Sequence, residues 1–477
     1  MTDPVSLPLW LAAAVFLLAG VALVERFLLP GVKWLVKSRA ERVLAEVDAR
    51  LSIRIQPFKL TKRQVLIDRL LADEAVLADV EAASRREGAS RDAVFARAAR
   101  YAEEIVPAFN AYVYFRLGYW IARQAARSLY RVRLLDDTAT PPASVPANVT
   151  VVFLMNHRSN MDYVLVSYLA AERTALSYAV GEWARIFPLQ TLFRAMGAYF
   201  IRRDSKNPLY RKVLERYVAM ATGGGVTQAV YPEGGLTRDG KLRPPRLGIL
   251  DYMVRGFDPS AGRDVLFVPV GLNYDRVLED RTQLLDLEPG ARPGAGGAAA
   301  RTAGFVLKNL LLMARNRWHR FGYAAVALGT PVSLRAWLRE RGLDPRALGK
   351  EERIAHVGDL ARDLMAGIGR VVPVLPVPLV ATVFAQAPER AVTELELKAH
   401  VLALIAGLER SGAKVHLPRR DRDYAISAGL RMLVQRRAVT ASDGLLRANP
   451  EELPLLRYYA GSIEHHLPGA ALGAEAA

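Results

Sequence analysis

From Val149 onward, short runs rich in β-branched and aromatic residues alternate with helical stretches: "VTVVFLM", "LSYAVG", "AYFIRR", "VTQAVY", "VLFVPVGLNY" and "YAAVALG". A run such as "VTVVFLM" shows no polar alternation, so both of its faces need cover, as in a strand buried inside a sheet. Helical stretches such as "PLYRKVLERYVAMATGGG" lie between the runs. This order predicts an α/β fold, a mixed and mostly buried central sheet flanked by helices. Chemistry in such folds collects at the carboxyl ends of strands.

The remaining chain divides around that block. Residues 38–140 read as helical, on the helix-spaced apolar residues of "TKRQVLIDRLLADEAVLADVEAAS" and "AFNAYVYFRLGYWIARQAARSLYRV". "DDTATPPASVPAN" then marks a boundary before a catalytic α/β unit at 148–340. Within that unit "EPGARPGAGGAAA" reads as a flexible insertion, followed by an apolar, basic helix in "FVLKNLLLMARNRW". Residues 341–468 read as a helical C-terminal region, interrupted by the three prolines of "VVPVLPVPLVATVFA" and helical from Thr393 to its end. Residues 469–477 read as a flexible tail.

Cysteine is absent, which excludes disulfides, thiolate catalysis and cysteine-based metal sites. The net charge of +17 favours anionic partners, whether lipid, phosphorylated substrate or nucleic acid. Leu7–Val24 carries no charge, and eighteen residues of helix rise roughly 27 Å. Arg26, Lys33, Lys37, Arg39 and Arg42 follow it, and no Lys or Arg precedes it. Residues 1–37 therefore read as a membrane anchor at a bacterial-type cytoplasmic membrane, with the catalytic domain on the cytoplasmic side. The alternative is an amphipathic helix lying on the bilayer or packed on the protein. A nucleic-acid role is disfavoured, because no base-reading or spaced aromatic pattern accompanies the charge.

Four stretches carry candidate chemistry. In "NHRSNMDYVL", His157 and Asp162 would point about 140° apart on one helix. They can meet only if His157 sits in a strand-to-helix loop and Asp162 in the first helical turn. An aspartate there could hold the imidazole in one tautomer and stabilise the imidazolium. The same residues read as a capping box, with Ser159 as the cap and Asp162 reaching back. In "GAYFIRRDSK", Arg202 and Arg203 end an apolar strand, which sends one to each face. Either could grip a phosphate, or both could be a solvated strand end. In "YPEGGLTRDGKLRPPRLG", Gly234 and Gly235 allow backbone N–H groups to approach an anion, with Arg238 and Lys241 nearby. In "VPVGLNYDRV", Pro269 inside an apolar strand argues for an edge or bend, often where a pocket wall turns.

Taken in this order between residues 156 and 277, the four stretches resemble the blocks of the glycerolipid acyltransferase family, especially its glycerol-3-phosphate acyltransferases. "HRSNMDYVLVSYL" is similar to the His-four-residues-Asp block, and "GAYFIRR", "PEGGLTR" and "VPVGLNYDRV" to the three that follow. "YAAVALGTPVSL" and "LLRYYAGSIEHHL" also resemble segments of the longer members. The third block departs from the family pattern: Leu236 stands where an arginine is frequent and Thr237 where a serine is.

The resemblance implies a glycerol-3-phosphate 1-O-acyltransferase that uses acyl-CoA or acyl carrier protein as co-substrate, and the excess positive charge adds anionic membrane lipid as a partner. The resemblance implies no cofactor, metal or covalent intermediate. His157 would be the base and Asp162 its partner. Arg202, Arg203, Glu233, Gly234, Gly235, Arg238 and Lys241 would surround glycerol 3-phosphate, and Pro269 would form a pocket wall. Lysophosphatidate or dihydroxyacetone phosphate is the alternative acceptor, and a non-catalytic lipid-binding homologue the alternative class.

Overall fold

The computed structural model describes residues 53–135, 148–171, 173–181, 189–202, 205–260, 262–285 and 320–467, together with Val43, Glu46, Leu51 and Pro146. The apolar stretch Leu7–Val24, most of the proline-rich boundary, "EPGARPGAGGAAA", "FVLKNLLLMARNRW" and the tail lie outside the described residues. Among the described residues no helix is long and apolar enough to cross a membrane.

Eight strands form one sheet: β1 (Arg131–Leu135), β2 (Val149–Met155), β3 (Ser177–Val180), β4 (Tyr199–Phe200), β5 (Gln228–Val230), β6 (Asp264–Tyr274), β7 (Tyr323–Leu328) and β8 (Val332–Ser333). Their order is β1-β7-β6-β2-β5-β3-β4, with β8 paired to β6. The run β6-β2-β5-β3-β4 is parallel throughout, and β7 and β8 are antiparallel to β6. Five strands therefore end at one edge, and all four chemistry-bearing stretches emerge there or continue from there.

Strand alternation sorts the side chains into two cores. Val152, Leu154, Val265 and Phe267 face the helices Pro208–Gly223 and Lys350–Val371 and the N-terminal helices Glu74–Glu87 and Arg91–Ile105. Val151, Met155, Val268, Val270 and Leu272 face the helices Pro376–Gln386, Glu394–Arg410 and Leu453–Gly461. The unbroken apolar character of "VTVVFLM" follows, because β2 touches both layers. The N-terminal helices are cut out by ordinary punctuation. Asp73 caps the first through Ala75 N and Val76 N, Gly88 ends it at φ +64°, and Ser90 caps the second. Asp73 also binds Arg216 through both carboxylate oxygens, tying this layer to the helix Pro208–Gly223.

Two expectations need correction. The helical reading of 38–140 stops at Leu129, because Arg131–Leu135 pairs in parallel with β7. Its alternation "RVRLL" was a strand signal, overshadowed by the long helical pattern before it. The C-terminal region is not helical from Thr393 to its end: β9 (Val392–Thr393), β10 (Val439–Ser442) and β11 (Leu445–Ala448) form a second sheet. Its hairpin turns on Asp443 and Gly444, both at positive φ, as a two-residue Asp-Gly turn demands. The expected interruption at the prolines of "VVPVLPVPLVATVFA" does occur, between the helix that ends at Val371 and the one that opens at Pro376. In the first turn a missing N–H costs no hydrogen bond.

Pro269 is not at the sheet edge, and it is not among the residues that line the cleft at His157. It lies inside β6, opposite Leu154, at the point where β6 exchanges its partner β8 for β7. That exchange leaves a position where no donor is needed, while the Pro269 carbonyl accepts from Gly329 N at 2.8 Å. Its ring points at Gly367 of the helix Lys350–Val371.

Candidate active site

β2 ends at Met155, and Asn156 prolongs it with side chain instead of backbone. Its amide donates to Leu272 O (2.9 Å) and accepts from Leu272 N (2.7 Å), continuing the ladder with β6. The chain then loops through His157–Ser159 into the helix Met161–Ala170, with Asp162 in its first turn. His157 and Asp162 are both buried, and His157 Nδ1 lies 2.8 Å from Asp162 Oδ2.

Asp162 is saturated with donors. Oδ2 also accepts from Arg158 N (2.7 Å) and Ser159 N (3.0 Å), and Oδ1 from the Tyr274 hydroxyl (2.6 Å). Burial and the adjacent Asp162 charge push the Tyr274 hydroxyl well above the usual tyrosine range, so it stays a donor. The expected capping box is not formed: the helix is capped at Asn160 without a side-chain cap bond, Asp162 N donates to the Ser159 carbonyl, and Ser159 Oγ accepts from Met161 N at 3.0 Å. Asp162 still reaches back to Ser159 N, so the carboxylate that orders this turn is also the partner of the imidazole. A carboxylate held by three other donors can accept only a proton-bearing Nδ1. His157 Nε2, which has no protein partner among the described residues, then carries the lone pair.

The loop Tyr231–Lys241 clamps the other side of His157. Glu233 Oε1 accepts from His157 N (3.0 Å), its Oε2 from Arg243 N (3.1 Å), and Thr237 N donates to His157 O (3.0 Å). The imidazole stacks on the Tyr231 ring at 4.1 Å between centroids and meets Tyr163 edge-on at 5.4 Å. Burial pushes the Glu233 carboxyl up to about 8 and that of Glu279, which takes Ser159 Oγ at 2.7 Å, up to about 7.

The imidazole faces a cleft of about 380 Å³. Its wall is apolar along Leu154, Ala179, Leu214, Val230, Leu250 and Leu364, and cationic at Arg202, Arg211 and Arg246. Arg202 is held from the N-terminal layer. Its Nε and Nη2 bind the Glu104 carboxylate at 2.9 and 2.6 Å, between the rings of Tyr101 and Tyr210. That pairing uses one edge of the guanidinium and leaves the Nη1/Nη2 edge for another two-oxygen anion.

The residues singled out in the sequence scatter around this centre. Gly234 lines the cleft at φ +68°, where a Cβ would fall 2.5 Å from Arg246 Cδ. Gly235 and Glu233 are buried behind the lining, and Glu233 holds main chain rather than reaching into the cleft. Arg238 is exposed outside the cleft. Lys241 pairs with Glu464 at 2.8 Å, also away from it. Leu236 offers only its carbonyl, to Arg243 Nη1 at 3.2 Å. Arg203 lies outside the described residues.

Sequence reasoning missed Tyr231, Tyr274 and Arg211, and placed Arg246 only among the basic residues of its loop. The two tyrosines stand at the carboxyl ends of β5 and β6, a position that was itself a signal. The C-terminal region closes the site from below. Arg158 is buried over the Tyr458 ring (5.3 Å) and donates to Gly240 O (2.8 Å), while Tyr458 donates to Gln283, which donates to Arg158 O.

Two families match this chain. Residues 138–273, which contain the dyad, match the family described as acyltransferase, and residues 307–477 match the glycerol-3-phosphate acyltransferase C-terminal region. The glycerol-3-phosphate acyltransferase of Xylella fastidiosa (strain M12) is 27% identical over 442 residues, 90% of this chain and 50% of that protein. The one from Aeromonas hydrophila subsp. hydrophila is 28% identical over 417 residues, 85% of this chain and 50% of that protein. The chain therefore spans about half the length of the curated relatives it matches. The solved structure of the 1-acyl-sn-glycerophosphate acyltransferase PlsC from Thermotoga maritima superposes with a TM-score of 0.31 at 16% identity, covering 64% of this chain and 96% of that one. The chain thus carries an acyltransferase domain that contains the dyad, with a glycerol-3-phosphate acyltransferase C-terminal region beside it.

Proposed function

We propose that this chain acylates the sn-1 hydroxyl of glycerol 3-phosphate, taking the acyl group from a thioester of coenzyme A or acyl carrier protein. The observation that carries the reading is the buried His157–Asp162 pair opening onto a cleft with an apolar wall and an arginine rim. The glycerol-3-phosphate acyltransferase names of the relatives support the acceptor.

In this mechanism His157 Nε2 takes the proton of the acceptor hydroxyl while that oxygen attacks the thioester carbonyl. Asp162 stabilises the imidazolium from Nδ1. The tetrahedral intermediate collapses, the C–S bond breaks, and the proton on Nε2 passes to the departing thiolate. Protons and electron pairs balance without a metal or a covalent enzyme intermediate, since the thiolate is a good leaving group. The apolar wall takes the start of the acyl chain, and the free edge of Arg202, with Arg211 and Arg246, takes the phosphate.

The test is acyl transfer by the full chain from labelled acyl-CoA or acyl carrier protein, with glycerol 3-phosphate and lysophosphatidate as separate acceptors. Wild type should yield lysophosphatidate from glycerol 3-phosphate, and His157→Ala should yield none. Acylation of lysophosphatidate alone would sink the acceptor assignment. Turnover at wild-type rate by His157→Ala would remove the dyad from the mechanism.

A further inference from the structure

Both nitrogens of the His157 ring act in its plane: Nδ1 donates to Asp162, and Nε2 is left for the substrate. What remains for the protein to hold is the face of the ring. That face lies on Tyr231, with 4.1 Å between centroids and 27° between planes. Tyr163 stands across both rings, 5.4 Å from the imidazole at 86° and 5.0 Å from Tyr231 at 68°.

The order Tyr231-Pro232-Glu233-Gly234 makes the stack rigid. A residue before proline is confined to extended backbone. The Tyr231 carbonyl accepts from Gly234 N at 3.0 Å, and the Pro232 carbonyl accepts from Arg246 N at 2.8 Å. Tyr163 in turn packs against Tyr178, with 5.5 Å between centroids. The face of an aromatic ring carries the negative side of its quadrupole and attracts a cation lying over it. Against neutral imidazole that attraction is slight, and it grows as proton transfer turns the ring into an imidazolium. An interaction that strengthens only as the charge forms lowers the barrier rather than tightening the ground state. Burial first, and then the Asp162 charge, hold the Tyr231 hydroxyl well above the usual tyrosine range, so the ring stays a neutral phenol.

We propose that Tyr231 is a positioning residue for the base: its ring fixes the tilt of His157, and its face stabilises the imidazolium by a cation–π contact. Asp162 acts on the imidazolium in the plane of the ring, and Tyr231 acts on it from the face. The inference rests on the reading of His157 as the base and does not depend on which acceptor is acylated.

Histidine NMR on the full chain, labelled at the imidazole carbons, tests it. The chain has seven histidines, and the His157 resonance is the one absent from His157→Ala. Tyr231→Leu keeps the site apolar and removes the ring. In that variant the resonance should titrate about one pH unit lower than in wild type, a roughly tenfold loss of preference for the charged form. In Tyr231→Phe it should titrate with wild type. The downfield Nδ1 proton should persist in both variants, as it must if the Asp162 contact is intact. Acyl transfer should follow the same order, with kcat about tenfold lower in Tyr231→Leu, both KM values unchanged, and no loss in Tyr231→Phe. Should leucine unsettle the thermal melt, Tyr231→Met repeats the comparison. Equal titration in wild type and Tyr231→Leu overturns the proposal. A shift in Tyr231→Phe as large as in Tyr231→Leu overturns it too, by moving the effect to the hydroxyl. Turnover by His157→Ala at the wild-type rate fails the base reading instead, and the titration still reports whether the stack favours the charged ring.

Discussion

Asp162→Asn tests the site most sharply, because the structure dictates how the amide must sit. Three donors, His157 Nδ1, Arg158 N and Ser159 N, converge on Oδ2, and only the Tyr274 hydroxyl meets Oδ1. The amide oxygen therefore takes the Oδ2 place, and the NH2 faces Tyr274, whose oxygen can turn to accept. Loop and imidazole keep their positions, and the loss of charge-assisted bonding costs about 1–2 kcal/mol of stability. What disappears is the negative charge opposite the imidazolium. Two unit charges about 4 Å apart at an effective dielectric of 20 attract by about 4 kcal/mol. If most of that appears only once the imidazolium forms, kcat falls about a thousandfold. Steady-state acyl transfer with glycerol 3-phosphate, alongside a thermal melt, measures both numbers. The expected result is a kcat lower by about three orders of magnitude, a nearly unchanged KM and a melt only a few degrees lower. Activity above about a tenth of wild type would refute the reasoning, since one decade is about 1.4 kcal/mol and too little for a buried counter-charge.

Other consequences are equally direct. Glu279 has a folded-state pKa near 7, raised by burial, so the folded protein binds that proton more tightly than the unfolded chain. Its stabilising contribution is complete below the unfolded carboxylate pKa and is gone once pH has risen through about 7, so Glu279→Gln should flatten the fall in melting temperature between about pH 4.5 and 7; an unchanged profile in that window counts against the shift. Gly240 sits at φ +86° with a would-be Cβ 1.8 Å from Tyr458 O, so Gly240→Ala should cost at least about 3 kcal/mol, and a wild-type melting curve would contradict that contact. Arg202→Lys cannot hold Glu104 and a phosphate with two planar edges at once. KM for glycerol 3-phosphate should rise about tenfold with KM for the acyl donor unchanged, whereas equal rises in both would place the phosphate elsewhere. Tyr274→Phe leaves one Asp162 lone pair unmet in a buried site and should cost about 1–2 kcal/mol in a denaturant melt.

The parts of the molecule legible in the sequence are those set by local periodicity or by a short motif. "VTVVFLM" could only be a strand covered on both faces, and the five-residue separation of His157 and Asp162 could bring those side chains together only across a loop-to-helix junction. The Asp-Gly of the hairpin in the second sheet was equally local, and was simply outweighed by the helices around it.

Tertiary structure decided which cations face the cleft. In the linear chain Arg202, Arg211, Arg238, Lys241 and Arg246 are alike, a basic residue beside a turn or strand end. In the fold Arg238 is exposed outside the cleft and Lys241 turns to Glu464, more than two hundred residues away, while Glu104 from the N-terminal layer orients Arg202 on the cleft wall. Glu233, placed by its motif among the substrate residues, instead holds the backbone of His157. A side chain's periodicity is set by its neighbours in sequence, but its partner is set by whatever the chain brings within about 3 Å of it. For the charged residues of this site that partner comes from another layer of the fold.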